Sequence, residues 1–505
     1  MADIEKKKTE GLPQPPPEIV VAEVKPKVDW KRVVLILLGI GIFLWIFYMP
    51  AWPDAVDPVG KHFPLKPQGK AAVGLFLMAG VWWIFEVVPI GVTAIAIGVV
   101  QALFAIRKTS DAFRDFMDPS VMFIFASVVV GIAFTKTGLT KRLAYKMLQI
   151  VGEKTSMITL GALVVTAGLA HVMAHTAAAA TVFPILLAIN SLYGEGDKPT
   201  KFGKFLFIGM AYAAGAGSVI TFLGSARAAA GAGMFAQFTG KYISFFELTK
   251  YMFLIGWVMV FFIWIALMIF LKPEKSVIPG LRDRVTKLSK ELGPMKREEK
   301  FVIITVLGAI AVMSSQAFIP ALKPLDRAAI MLVSTLIFFI FKVLTVIELE
   351  DIPWNIILLF SGAMSIGFCL WQTGAAQWMA VEWLVMFQHA HWLVFVLSIA
   401  FFVLVLTNFI MNVAAIAISL PVSLVIANYL GVAPEPIFYA SLATAGMPFV
   451  LLIGAAPNAI AYESKMFTPG EFFGYGVIPS VFLMILLGIA LLTLWPMLGM
   501  PILIK

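Results

Sequence analysis

The sequence has little charge and almost no cysteine. Of its 505 residues, 13% are charged and one, Cys369, is a cysteine. A single cysteine excludes an intramolecular disulfide and a cysteine-rich metal cluster. Soluble domains carry about 25% charged residues, so a chain built from soluble domains is also excluded. The basic excess lies mostly in the N-terminal segment and in short loops, which indicates orientation in a membrane rather than nucleic-acid binding.

The motifs of enzymes are also missing. Neither a nucleophile with a base, nor paired carboxylates, nor an H-E-x-x-H helix occurs at a convincing spacing, so the sequence predicts no enzyme. His171 and His175 share one helical face, but no glutamate lies between them. We therefore expect no zinc site and no organic cofactor.

Apolar runs are abundant. Apolar residues make up 60% of the chain, and windows long enough to cross a bilayer recur from Val33 almost to the C-terminus. The pattern predicts an all-α integral membrane protein, embedded in the lipid bilayer, with about 11 transmembrane helices. Two further apolar stretches, about 155–193 and 392–429, are too long for one span and are broken near the middle by small or polar residues. They predict two re-entrant hairpins.

Two polar segments divide the chain. Residues 1–32 are charged and proline-rich without an apolar signal core, which predicts a disordered, uncleaved cytoplasmic tail. Residues 272–300 separate a first part, 33–271, from a second part, 301–505. The basic excess of this linker predicts a cytoplasmic position, with the N-terminus on the same side. The N-terminus does not resemble a transit peptide, so we expect a bacterial inner (plasma) membrane.

The two parts resemble each other in order. The stretch DPSVMFIFASVVVGIAFTKTGLTKRLA at 118–144 recurs as IPWNIILLFSGAMSIGFCLWQTGAAQWMA at 352–380, and each is followed by a hairpin stretch and a glycine-broken span. An odd number of crossings in each part would give the two parts opposite orientations. The chain is therefore predicted to contain an inverted repeat.

These patterns resemble the divalent anion/sodium symporter family, the carriers of dicarboxylates, citrate and sulfate. The stretch WWIFEVVPIGVTAIAIG at 82–98 is similar to a signature of that family, and the KTG and QTG stretches match its repeated fourth and ninth spans. The resemblance covers nearly everything after the tail. It implies a secondary active transporter of small divalent or oligovalent anions, dicarboxylate-like or sulfate or sulfonate, that works by alternating access as an elevator-type homodimer.

The family binds its substrate with a Ser-Asn-Thr tip in each hairpin and a Gly-Thr-Pro-Pro-Asn-like motif in the following span. Here the tips read Ala174-His175-Thr176 and Met411-Asn412-Val413, and the broken spans read Gly224-Ser225-Ala226-Arg227-Ala228 and Gly454-Ala455-Ala456-Pro457-Asn458. The resemblance thus implies substrate contacts at His175, Thr176, Ser225, Arg227, Asn412, Val413, Pro457 and Asn458. It implies a second sodium site at Thr407, Asn412 and Asn458, whereas the first, at Ala170, His175 and Gly224, departs from the family pattern.

An anion inside a bilayer needs N–H donors, hydroxyls or positive charge. Helix starts at the hairpin tips offer N–H groups and partial positive charge. Arg227 is the only charged residue between 215 and 233, and its guanidinium could bind two substrate oxygens, replace a missing cation, or reach the membrane interface. His175 could bind the substrate, titrate, or simply pack.

Several coupling mechanisms stay open at this stage. Sodium symport, proton-coupled uptake and sodium-independent anion exchange all fit a carrier of this kind, so the coupling ion is sodium or a proton, if there is one. The altered first tip, with Arg227 and His175, favours a sodium-independent or singly coupled mechanism. An anion channel is a remote alternative, because it would not require duplicated hairpins, and an intramembrane enzyme is remote because the catalytic motifs are missing.

Overall fold

The computed structural model describes residues 29–504 apart from 57–59, 86, 194–197, 317, 323, 388–390 and 410–411. Almost all of the predicted tail lies outside the described residues, as does Met411 of the second tip. The first helix, α1 (Trp30–Tyr48), begins before the predicted boundary at 33. The reason is a cap, since the Asp29 carboxylate accepts a hydrogen bond from the backbone N–H of Arg32.

The first part of the chain is helical except for one small antiparallel sheet, β1 (Ala55–Val56) and β2 (His62–Phe63). Its helices are α2 (Pro67–Ile84), α3 (Ile90–Leu103), α4 (Thr109–Arg114), a 3-10 turn (Asp115–Met117), α5 (Pro119–Thr137), α6 (Leu139–Val151), α7 (Thr155–Leu169), α8 (His175–Leu192), α9 (Lys201–Ser218), α10 (Ala226–Thr239) and α11 (Phe245–Phe270).

The predicted linker contains a helix of its own, α12 (Leu281–Glu291), which packs against α6. The second part continues with α13 (Arg297–Ser315), a 3-10 turn (Pro320–Leu322), α14 (Arg327–Ile340), α15 (Val346–Glu350), α16 (Trp354–Gln372), α17 (Ala375–Phe387), α18 (Trp392–Phe409), α19 (Asn412–Tyr429), α20 (Pro434–Ala445), a 3-10 turn (Leu452–Gly454), α21 (Ala456–Tyr462) and α22 (Pro469–Ile489), which runs on through a π-helical turn (Ala490–Leu494) into α23 (Trp495–Met497).

Apolar helices dominate this architecture. Among the described residues, eight helices are long and apolar enough to cross a membrane, and three shorter apolar helices, α3, α7 and α14, accompany them. Helix α11 shows the expected outer face, with Phe253, Phe261, Ile265 and Ile269 exposed where lipid would lie. The predicted all-α membrane fold is confirmed. The total of about 11 crossings and the elevator motion stay predictions.

The same helix boundaries recur in the two parts. Helices α8 and α19 both have 18 residues, and each carries a proline inside, Pro184 or Pro421, at its tenth position. Helix α11 begins at the cap Ser244 and α22 at the cap Thr468, each of which accepts a hydrogen bond from the backbone N–H three residues on. Equivalent local signals therefore shape equivalent helices.

One pair of corresponding helices, α5 and α16, runs in opposite directions. Ser361, in the middle of α16, donates a hydrogen bond of 3.1 Å to the carbonyl of Phe116, just before α5 begins. Trp354, the first residue of α16, instead packs against Phe125, farther along α5, with ring centroids 5.9 Å apart. Helices α5 and α16 are therefore antiparallel, as an inverted repeat requires.

Helices α9 and α20 lie in the interior, and almost every residue of each is buried. Helix α9 packs against α7, α8, α11 and α21, while α20 packs against α18, α19 and α10. Each of these central helices ends inside the molecule and is followed by a non-helical segment. Their ends therefore deliver backbone groups and side chains to the centre of the fold.

Candidate functional site

The first tip, residues 170–176, joins α7 to α8 and is held against the interruption that follows α9. We call that interruption, 219–225, the first break. The hydroxyl of Thr221 donates a hydrogen bond of 2.6 Å to the carbonyl of His171. The backbone N–H of His175 donates one of 3.1 Å to the carbonyl of Gly224. The first tip and the first break thus form one unit.

The second tip, residues 407–413, meets the second break, 446–455, in a different way. Here the Asn408 side chain makes the connection, since its Oδ1 accepts hydrogen bonds from the backbone N–H groups of Val450 at 2.9 Å and Leu451 at 3.0 Å. Its Nδ2 donates to the carbonyl of Leu404 at 2.7 Å. A buried asparagine with satisfied partners fixes the second break to its hairpin.

The two breaks touch each other. A Cβ added at Gly446 would lie 3.0 Å from Cζ of Arg227 and would overlap the side chain of Val219. Only a glycine at this position lets the guanidinium from the first part approach the second break so closely. Tips and breaks from both parts therefore form a single central cluster.

Arg227 is the most unusual member of this cluster. It is the second residue of α10 and 1% exposed, and its Nη2 donates a hydrogen bond of 2.6 Å to the hydroxyl of Ser218. Its Nε and Nη1 find no acceptor in the part of the chain that the structure describes. Such burial rules out snorkelling to the interface, and unmet donors of a buried charge cost about 1–3 kcal/mol each. An anion beside Arg227 would supply acceptors for these two nitrogens and balance the buried charge.

The other predicted residues of the first tip and first break surround this guanidinium. His175 begins α8, its buried Nδ1 has no partner among the described residues, and the charge of Arg227 acts on its imidazole. Thr176 follows it, half buried, in the first turn of α8, where free N–H groups favour an anion. The carbonyl of Ala170 lies directly against Gly224.

The second tip presents oxygen atoms instead of a charge. The hydroxyl oxygen of Thr407 lies 3.0 Å from Oδ1 of Asn412 and 2.9 Å from the carbonyl oxygen of Ala445. A hydroxyl has one hydrogen, so it can donate to only one of these two acceptors. Three buried, uncharged oxygens therefore converge with a surplus of lone pairs. This donor set fits a small hard cation such as sodium.

The remaining predicted residues mainly shape the cluster. Asn458 donates from Nδ2 to the carbonyls of Pro448 at 2.8 Å and Leu451 at 3.0 Å, so its amide holds the second break together. The side chains of Ser225, Val413 and Pro457 are buried at or next to helix starts, and Ser225 makes no side-chain capping bond. The structure brings all the predicted site residues to the same region.

Comparison with known proteins identifies the fold and the family. A family profile described as the sodium:sulfate symporter transmembrane region matches residues 29–501. The chain belongs to this family. It is therefore a multi-pass membrane transporter.

Named relatives within the curated proteins agree with this assignment. The transporter is 28% identical over 423 residues to the sodium-dependent dicarboxylate transporter SdcS of Staphylococcus saprophyticus, a match that covers 79% of this chain and 80% of the relative. It is 25% identical over 424 residues to the protein of the same name from Staphylococcus aureus, with the same coverage of both chains.

Two solved structures share the fold of the transporter. The YdaH transporter of Alcanivorax borkumensis superposes with a TM-score of 0.57 at 12% identity, over 93% of this chain and 98% of that one. MtrF of Neisseria gonorrhoeae, described within a class of antimetabolite efflux pumps, gives 0.54 at 16% identity, over 95% and 97%. At such identities the likeness concerns the fold alone.

Sequence reasoning missed several residues that hold the site of the transporter together. Ser218 binds the guanidinium, Thr221 and Asn408 fasten the tips, and Ala445 supplies an oxygen. Asn408 did leave a signal, because it stands beside Thr407 as a polar pair in helix α18, where Ser398 is the one other polar side chain apart from the Trp392 N–H. Ala445 left none, since it contributes through its backbone carbonyl.

Proposed function

We propose that this transporter is a secondary active carrier of small dicarboxylates, and that Arg227 binds one carboxylate of the substrate. The buried guanidinium carries this proposal, because a carboxylate can accept a hydrogen bond from one of its two unpartnered nitrogens and, at the same time, one from the second hydrogen of Nη2. The relatives named as dicarboxylate transporters support this substrate class. Sulfate, which the family description mentions, is the second candidate and enters the test below.

The rest of the cluster would complete the anion site. Helices α8, α10 and α19 all begin at the tips and breaks, so their N–H groups and partial positive charge favour an anion there. His175 and Thr176 can add a hydrogen bond each from the first tip. Asn412 and Val413 begin α19 on the other side, where backbone N–H groups can reach a second carboxylate.

We propose a single coupling cation, sodium, held by Thr407, Asn412 and the carbonyl of Ala445 at the second tip. Its positive charge would help to hold the anion in a region with little water. At the first tip, Ala170 brings no side-chain oxygen and the guanidinium of Arg227 lies close by. Because a fixed positive charge repels a second cation, the first tip would need no sodium.

The proposed transport cycle is alternating access. The tips and breaks would move as one body against the remaining helices, in an elevator-type motion, because hydrogen bonds join each tip to its break. In this proposal the two parts form an inverted repeat, the N-terminus and the linker are cytoplasmic, the protein lies in the plasma membrane, and the working unit is a homodimer.

The test is uptake of radiolabelled succinate and sulfate into proteoliposomes, with the sodium gradient, proton gradient and internal counter-anion varied independently. We expect sodium-driven succinate uptake in the unchanged protein, none in Arg227→Gln, and partial activity in Arg227→Lys, which keeps the charge but loses the planar fork. Uptake that occurs only when the vesicles contain a counter-anion would indicate that the protein is an exchanger and not a symporter. Unchanged succinate binding in Arg227→Gln would remove Arg227 from the site.

A further inference from the structure

A second polar region lies away from the central cluster. A cavity of about 900 Å³ is bordered by the first residues of α5, α11 and α14 and by the last turns of α10 and α16. Gln316, just past the end of α13, also lines it. Because α13 starts at the linker and its far end reaches the cavity, the cavity opens on the face of the helix bundle opposite the linker.

Arg327 lies at the inner side of this cavity and contacts the first break. It is the first residue of α14, its Nη1 donates a hydrogen bond of 3.0 Å to the carbonyl of Ile243, and its guanidinium lies 4.5 Å from the ring centroid of Phe222. Phe222 belongs to the first break, the same segment that positions Arg227. Two arginines therefore adjoin one short segment, one of them at the cavity and the other fully buried.

Aromatic rings pack together where the cavity meets the first break. Phe222 is buried and packs with Phe123 and Phe245, at centroid distances of 5.9 and 6.1 Å. The guanidinium of Arg327 covers this cluster from the cavity side as a cation–π partner, a contact worth about 0.5–2 kcal/mol. The cavity therefore reaches the first break at the contact between Arg327 and Phe222.

The carboxylates around the cavity are already engaged. Asp115 pairs with Arg107 at 2.7 Å. Asp118 accepts from the backbone N–H of Ser120 at 2.7 Å, and Asp326 accepts from that of Ala328 at 2.8 Å.

Arg327 is engaged less completely. Within the described part of the chain no carboxylate lies within ion-pair distance of it, although Asp118 and Asp326 act on its charge from farther away. Its direct contacts are a carbonyl and a ring, both uncharged, and its side chain borders the cavity.

We propose that this cavity is the access chamber for the substrate anion and that Arg327 binds the anion there before it reaches Arg227. This inference rests on the proposed function. Pairing with an incoming carboxylate would weaken the hold of Arg327 on Phe222, so arrival of the anion would loosen the aromatic cluster that covers the first break. The central site would then be reached from the face opposite the linker.

The first test concerns access and needs no substrate. Cys369, the only cysteine, is buried and can be replaced by serine, which leaves a background for single cysteines. Gln237→Cys, in the cavity, and Lys287→Cys, exposed on linker helix α12, form a matched pair. A membrane-impermeant maleimide added to one side of sealed vesicles should label only one of them. Two results would contradict the access chamber. One is labelling of both variants from the same side, and the other is no labelling of Gln237→Cys from either side.

The second test concerns Arg327 and uses succinate. We expect Arg327→Gln to slow succinate association about tenfold at low ionic strength and to flatten its salt dependence, while the equilibrium dissociation constant stays within about twofold. Arg327→Lys should recover most of the rate. Arg114→Gln, a change in the same cavity, is the matched control and should leave the rate within about twofold.

Two outcomes would contradict the role of Arg327. An unchanged association rate in Arg327→Gln would remove it from the path of the anion. Loss of equilibrium binding as complete as in Arg227→Gln would place its action at the central site or in folding. If the unchanged protein binds no succinate at all, the proposed function fails, and the labelling result still decides whether the cavity is an access chamber.

Discussion

The two breaks share a backbone conformation, whereas the tips that they contact differ in chemistry. The residue before α10, Ser225, and the residue before α21, Ala455, have nearly the same extended conformation, with φ of −158° and −154°. Around the first tip, however, the positive charge is part of the chain, on Arg227. The second tip instead gathers neutral oxygens. Two similar arrangements of helices can therefore carry different ligand-binding groups.

The difference is concentrated at a few positions that correspond by their distance from the start of α8 or α19. Ala170 corresponds to Thr407, His171 to Asn408, and His175 to Asn412. At each of the three positions the second tip has a side chain that makes hydrogen bonds in the structure. In the proposed mechanism, the positive charge of Arg227 takes the place of such oxygen ligands at the first tip.

The largest effect is expected where the two breaks touch. Gly446→Val would place a branched side chain on Arg227 and Val219, displace the guanidinium, and weaken succinate binding at least about 100-fold. Isothermal titration with succinate measures it. Gly488→Ala is the control, because a Cβ there meets only Leu397 at an ordinary 3.8 Å. Unchanged succinate affinity in Gly446→Val would show that binding does not depend on the contact between Arg227 and the second break.

The second prediction compares how the tips are fastened. Asn408→Ala leaves the N–H groups of Val450 and Leu451 without an acceptor and should destabilise the folded protein by about 2 kcal/mol. Thr221→Val removes one hydroxyl bond at the first tip and should cost about 1 kcal/mol. Thermal unfolding in detergent measures both. A larger loss for Thr221→Val would reverse the proposed order of anchoring.

The third prediction concerns sodium. Thr407→Val removes one of three converging oxygens, so the sodium concentration for half-maximal uptake should rise about tenfold, or about 1.4 kcal/mol. Thr407→Ser keeps the oxygen and should stay close to the unchanged protein. At the first tip, His175→Ala should weaken succinate binding and leave the sodium response within about twofold. If the sodium concentration for half-maximal uptake rises equally in Thr407→Val and His175→Ala, the proposed difference between the tips is wrong.

The smallest effect is expected at the linker. The Glu274 carboxylate accepts hydrogen bonds from the N–H groups of Lys201 at 2.6 Å and Phe202 at 3.3 Å, at the start of α9. Burial raises the pKa of Glu274, but these N–H groups outweigh it, and the pKa lies below its ordinary value of 4.5. Glu274→Gln should therefore cost about 0.5 kcal/mol of stability at neutral pH.

The pH dependence of that effect has a definite sign. Because the pKa of Glu274 is lower in the folded protein, its contribution is present above about pH 4.5 and disappears as the pH falls through the lowered value. The difference in unfolding temperature between the two proteins should accordingly shrink in acid. A difference that grows on acidification would contradict the capping role.

The sequence allowed much of this to be predicted, and the limits have physical causes. Long apolar runs, the paired KTG and QTG motifs and the interrupted hairpin stretches point to the membrane fold, because each reports a local requirement of chain in lipid. The burial of Arg227 could not be predicted, since it depends on contact between residues far apart in the chain, such as Gly446. Nor could the carbonyl of Ala445, because every residue has one.

The central claim is that a fixed guanidinium serves the first tip and that only the second tip binds a coupling cation. The most direct measurement is the sodium-to-succinate coupling ratio, obtained from the membrane potential at which net flux reverses in proteoliposomes with set gradients of both solutes. The account predicts one sodium ion per succinate. A flux that does not respond to membrane potential, as two sodium ions per succinate dianion would give, or a ratio above two would show that the first tip binds a cation despite Arg227, and would contradict the account.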